Sequence, residues 1–245
     1  MLVVLAIVIV LVVRFIGDRG QALADPNPPA PSISGWNDSS PLPTASPTPT
    51  PSASPTPTSS SPTPVGSVSC ATGSPSQRAA HPADGRVHGG DLSFQSPGWP
   101  EDAGYAQQMT WAWDVDGIEE QTEPGWAAMM AVGSLHADDG FHTPAQSADG
   151  MMQCIASSAY YEGYTGRKNV FSKAITVDGH RGWALRTQIF VDEPPNLSVP
   201  GDTAEVIVVD TGTPGRLSFF AGFVPIGDQG RTQLLDQAIA GLQAG

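Results

Sequence analysis

The side chains of this 245-residue sequence best placed to do chemistry are two cysteines, Cys70 and Cys154, and a run of carboxylates. The carboxylates are Asp114, Asp116, Glu119, Glu120 and Glu123, all within ten residues. Two cysteines are too few for a disulfide scaffold and lack the spacing of a zinc site. In an oxidising compartment the pair would bridge, closing a loop of roughly 84 residues worth about 4–5 kcal/mol on the chain-entropy argument. The alternative is a buried Cys154 with a free Cys70. Asp114-Val115-Asp116-Gly117 resembles the start of a calcium loop, which makes Asp114, Asp116, Glu119 and Glu120 weak candidates for a divalent-cation site. The twelve-residue ligand spacing of such a loop is missing, so a solvated acidic loop is the favoured reading. A contact patch for a basic partner is a further option.

No other constellation points to catalysis. His81, His88, His136, His142 and His180 are scattered, with no H-x-x-x-H pair. No G-x-S-x-G elbow, S-x-x-K motif or glycine-rich phosphate loop occurs. The reading is therefore a non-enzymatic chain with no cofactor. Trp111 and Trp113 are read as core residues, with a carbohydrate platform as the lesser option.

The elements that position these residues begin after the prolines end. Of 24 prolines, 13 fall from Pro26 to Pro64, a span without Lys, Arg or Cys. The expected organisation is an N-terminal anchor or signal segment over 1–17, a disordered Pro/Ser/Thr-rich linker over 18–69 and one α+β domain over 70–245. Leu2–Val13 is an unbroken apolar run. As a helix, Leu2–Ile16 would be about 22 Å long, short of the hydrocarbon slab, though Arg14 could reach the interface by snorkelling. A run of this length also suits a signal peptide, with Ala22-Leu23-Ala24 as a small-x-small site. Neither option has its basic start, and Arg14 and Arg19 taken literally place the rest of the chain in the cytoplasm. The linker and the two separated cysteines outweigh this, and the expectation is that a short basic segment precedes Met1. The linker cannot bury enough surface to repay its ordering entropy, and its prolines bias it to an extended, polyproline-like spacer.

Within the domain, Val87–Gln95 reads as a strand and Met109–Val115 as another with strict alternation. Trp126–Leu135 is an apolar run open to strand or helix. Thr143-Pro144 is a helix start, an N-cap hydroxyl before an N1 proline, with the helix running to about Glu162-Gly163. Asp178-Gly179 is a hairpin signal joining two strands. Two more strands flank Thr211–Gly215, and a closing helix comes after Asp228 with Leu234, Leu235, Ala238, Ile239 and Leu242 on one stripe. The sum is an α+β fold, an antiparallel sheet of about six to seven strands packed by helices and covered on both faces.

The F-x-x-P-x-W positions Phe94, Pro97 and Trp99, the V-D-G-x-x-G-W run Val177–Trp183 and this element order resemble the PsbP-like fold. Actinobacterial envelope lipoproteins of the LpqN type share that fold. The resemblance covers about 86–242. It implies a PsbP-like sandwich and, by analogy, a binding or accessory role rather than catalysis. Those lipoproteins carry a lipidated cysteine directly after the signal segment. Here the first cysteine is Cys70, so the resemblance does not extend to lipid anchoring.

Formal net charge is −13, which excludes nucleic-acid binding by counterion release. Between Arg86 and Arg167 there are twelve acids and no Lys or Arg, whereas Arg167, Lys168, Lys173, Arg181 and Arg186 gather afterwards. The domain is expected to be electrically two-sided. Expected partners are the membrane, through the N-terminal segment, and an envelope protein or wall polymer. The expected location is the cell membrane with the domain outside, or the exterior if the segment is cleaved.

Overall fold

A computed structural model describes residues 68–101, 104, 106–192 and 197–245, all within the compact unit Ser60–Gly245. The expected anchor over 1–17 and nearly all of the expected linker lie outside the described residues. Among the described residues no helix is long and apolar enough to cross a membrane.

Those residues form nine strands and two α-helices. In chain order they are β1 (Arg86–Gly89), β2 (Leu92–Gln95), β3 (Trp113–Glu123), β4 (Trp126–His136), α1 (Pro144–Ala156), β5 (Tyr164–Val177), β6 (His180–Val191), β7 (Gly201–Val209), β8 (Arg216–Pro225), α2 (Gln229–Ala240) and β9 (Gln243–Ala244). One six-stranded sheet has the order β3-β4-β8-β7-β6-β5, every pair antiparallel; β1-β2-β9 form a second, small antiparallel sheet. The fold is α+β, as its pattern of alternation and hairpin signals predicts.

Local chemistry accounts for the joints. Pro124-Gly125 forms the two-residue β3–β4 turn, with Gly125 at φ 86 as the third position of a type II turn requires. Asp178 and Gly179 both take positive φ, 46 and 84, in the tight β5–β6 turn. Thr143 caps α1 by accepting a hydrogen bond from the Gln146 amide, and Asp228 does the same for α2 from Arg231.

Three sequence expectations change. The Val87–Gln95 strand is a hairpin, β1 and β2, because Gly90 at φ 58 turns the chain back on itself. Met109–Ala112 are not strand: a turn brings Trp111 into the core, and β3 starts only at Trp113. α1 ends at Ala156, where Ser157 caps it, and a separate single turn of 3-10 helix covers Ala159–Tyr161. The ambiguous apolar run is strand β4, paired with β3 and β8 and buried on both faces.

Strand alternation divides the core. On one face, Leu185, Val206, Val208 and Phe219 meet Trp111 and the Met151, Met152 and Ile155 stripe of α1. On the other, Met130, Val132, Ile207 and Phe220 meet Phe94, Trp99 and, from α2, Leu235. Phe94 stands edge-on to Phe220, centroids 5.3 Å apart.

The sheet order sets acidic β3 and basic β5 at opposite edges. β5 is exposed along most of its length, carries Arg167, Lys168 and Lys173, and has register shifts at Tyr164/Gly166 and Asn169/Phe171. Bulges and charge are how an open edge avoids unwanted pairing. The β3 edge is dressed instead by the segment leading into the domain: Ser74 bridges Trp113 and the Val115 amide donates to the Pro75 carbonyl. Cys70 and Cys154 are joined in a disulfide, Cα atoms 5.4 Å apart, which ties that segment to α1.

Candidate functional site

On the α1-covered face lies a cleft of about 240 Å³. Each wall comes from a different element. β4 begins with Trp126 directly after the Pro124-Gly125 turn and continues to Met129; the 3-10 turn supplies Tyr160 and Tyr161; β8 supplies Phe223. Glu119 enters from β3 and Gln108 from the short helix Ala106–Gln108. Trp126 stands edge-on to Tyr161, 6.1 Å between centroids, and Tyr160 stacks on Phe223 at 6.3 Å.

Asp202, the second residue of β7, lies at the back of the cleft and is only 4% exposed. Gly201 places it there. Gly201 has φ 137, and a Cβ at that position would stand 1.9 Å from the Ile189 carbonyl oxygen, so only glycine lets β7 approach β6 this closely. The Trp126 indole N–H donates to Asp202 Oδ1 at 2.9 Å, and the Tyr161 hydroxyl donates to Oδ2 at 3.0 Å. Both donors are neutral. Burial pushes the Asp202 carboxyl up to about 7, against the pull of the hydrogen bonds from Trp126 and Tyr161. Tyr161 in turn is pushed well above the ordinary phenol range by burial and by the neighbouring Asp202 charge. The described residues lining the cleft include two carboxyls and no Lys, Arg, His, Ser or Cys. Such a cleft can receive an apolar group and a hydrogen-bond donor or positive charge, and its described lining holds no Ser, Cys or Lys nucleophile.

The weak cation-site candidates do not converge, and they correct the expected acidic loop: Asp114–Glu123 is part of a strand, whose alternation sends neighbours to opposite faces. Glu119 lines the cleft, while Glu120 pairs with Arg231 of α2 at 2.8 Å on the opposite face. Asp114, buried and at φ 50, accepts from Arg78, from the Ala79 and Gly90 amides and from His81. Asp116 takes the other guanidinium nitrogen of Arg78 at 3.0 Å. Glu123 accepts from Ser198, whose hydroxyl and amide hold it below the usual carboxylate range. Among the described residues no set of three His, Cys, Asp or Glu is arranged to hold a metal ion.

His81 and His88 stack 5.7 Å apart beside Asp114 and Asp84, in the joint between the incoming segment and β1. Trp111 is buried, while Trp113 stacks on His136 at 4.8 Å and donates to Asp139, so the two do not form one aromatic platform. Sequence reasoning does not single out Asp202. The signal it offers is Gly201-Asp202, an acid preceded by glycine at the start of an otherwise apolar strand.

No family model matches the chain, and no curated protein is similar to it. Among solved structures, the chain is similar to the cyanobacterial PsbP of Synechocystis sp. PCC 6803, with 13% identity over 68% of this chain and 98% of that one, at a TM-score of 0.42. It is also similar to the Ran-binding protein Mog1p of Saccharomyces cerevisiae, with 12% identity over 63% and 90%, at a TM-score of 0.40. PsbP is the fold that the element order resembles. These likenesses concern the course of the chain. The fold itself stands on its strand order and register, and the LpqN-type likeness rests on the sequence positions alone.

Proposed function

We propose that this protein is a tethered, extracytoplasmic binding module of the cell envelope, and that its folded domain holds a small ligand in the Asp202 cleft without catalysis. The carrying observation is the cleft itself: a concave aromatic site around a buried carboxyl that neutral donors hold in place. A buried carboxyl whose ionisation falls near neutrality is a recurrent mark of functional sites. The extracytoplasmic part rests on the apolar start, the proline-rich spacer and the bonded Cys70–Cys154 pair, since such bonds persist in oxidising compartments.

One observation favours a second reading, a wall-modifying hydrolase: two carboxyls share the cleft, the equipment of general acid–base chemistry. Against it, both Asp202 oxygens are engaged by donors of the protein itself. A fragment screen read on the nuclear magnetic resonances of the whole domain tests the binding reading, which expects saturable shifts confined to Trp126, Met129 and Phe223. Release of product from wall polymers that is abolished in Glu119→Gln would establish the hydrolase instead. Protease added to intact cells tests the location, with loss of the domain expected and full protection counting against it.

A further inference from the structure

The ligand class can be argued from what the cleft lacks, on the reading that the cleft is a ligand site. Its wall is aromatic, with Trp126, Tyr160, Tyr161 and Phe223 around Asp202 and Glu119. Aromatic faces carry the negative end of the ring quadrupole and attract cations, more strongly where water is excluded. Asp202 is enclosed with only neutral donors, whereas the other deeply buried acids among the described residues have cationic partners: Glu205 faces Arg186, and Asp114 faces Arg78. An anion would meet the Asp202 carboxyl, whose two hydrogen-bond donors are both neutral. A volume of about 240 Å³ is below the roughly 300–1,000 Å³ of pockets that enclose drug-sized ligands, so it suits a head group rather than a whole large molecule.

We propose that the cleft between Trp126 and Tyr160 binds the head of a small organic ammonium ion, with the rings as walls and Asp202 as the counter-charge. The cation supplies the positive partner that the protein withholds from Asp202. Binding therefore draws Asp202 into its ionised form and releases a proton. Among the described residues, the titratable groups lining the cleft with Asp202 are Tyr161 and Tyr160 of the 3-10 turn and Glu119 of β3. Tyr161 stays protonated across the neutral range.

The test uses the full chain in detergent and three probes of one shape: choline, its uncharged tert-butyl isostere with carbon in place of nitrogen, and the matching tert-butyl carboxylate. The readout is the indole N–H resonance of Trp126. Choline is expected to saturate at about tenfold lower concentration than the isostere, and to bind about tenfold more tightly at pH 8 than at pH 6, tracking the ionised fraction of Asp202. Asp202→Asn is expected to remove that pH dependence. An isostere that binds as well as choline, or a carboxylate that binds better, overturns the ammonium inference and leaves the binding reading standing. No shift with any of the three probes or with the fragment screen overturns both.

Discussion

Asp202 has opposite consequences for binding and for stability. Its carboxyl ionises near pH 3.8 in the unfolded chain and near 7 in the folded one. Between those values the folded state holds the extra proton, so the stability from this group is full below about pH 4 and is lost as pH rises through about 7. The shift corresponds to about 4 kcal/mol as an upper figure. Asp202→Asn, which keeps an acceptor for Trp126 and Tyr161, is expected to flatten this slope. Urea midpoints of both proteins at pH 5 and pH 8 check it, and an unchanged slope would refute the assignment. The Arg186–Glu205–Asp236 group makes a contrasting case on the α2-covered face. Burial raises the Glu205 carboxyl and Arg186 draws it back down. Arg186→Met alone is expected to cost about 3–5 kcal/mol, because it leaves a buried acid unpaired, whereas Arg186→Met with Glu205→Leu is expected to recover most of that loss. Denaturant unfolding of the double-mutant cycle decides between these outcomes. Neither Asp202 nor Glu205 stands out in the sequence. An acid in a strand is ordinarily an outward-facing residue, and only packing on both faces turns these two inward.

At the scale of elements, local signals and tertiary pairing divide the work. Thr143-Pro144, Asp178-Gly179 and Asp228 predict their turn or helix start because the chemistry involved spans two to four residues. The Trp126–Leu135 run is ambiguous in sequence for the opposite reason: apolar on both sides, it lacks a period, and pairing with β3 and β8 makes it a strand. Met109–Val115 misleads because alternation in sequence does not require a strand partner, and Met109–Ala112 are not part of any strand. The disulfide joins the start of the domain to α1, which packs on the same face of the sheet as the cleft. Replacing both cysteines by serine is expected to lower stability by about 4–5 kcal/mol, read from denaturant midpoints against the parent, because an 84-residue loop is released in the unfolded chain. Gly201→Ala is expected to drive β7 away from β6, lowering the melting temperature and broadening the Trp126 indole resonance. Retention of both would show that the strand can shift without disturbing Asp202.

For the molecule as a whole, one sheet serves two cores. β4, β7 and β8 contribute side chains to both faces, so neither core can open without the other. Tryptophan fluorescence, which reports Trp111 and Trp126 on one face and Trp99 on the other, is expected to unfold in step with far-UV circular dichroism. Hydrogen exchange is expected to be slowest in β4, β7 and β8 and fastest in β5, the exposed edge. Protection in β5 equal to that in β7 would mean that the edge is covered in solution. The charge asymmetry read along the chain becomes a spatial one through strand order, because β3 and β5 close opposite edges of the sheet. Much of the β3 charge is nevertheless neutralised by Arg78 and Arg231, which lie far from it in sequence.

The sequence alone settled matters decided by neighbours along the chain: the α+β class, the Asp178-Gly179 hairpin, the starts of both helices, and the apolar stripe of α2. Alternation, turn residues and capping hydroxyls act over a few residues, so they can be read without a fold. Only the tertiary structure decided the strand order, the face on which each acid lies and the cleft around Asp202. Those depend on which surfaces exclude water together, and Trp126, Tyr161 and Asp202 meet only after β4, the 3-10 turn and β7 have packed.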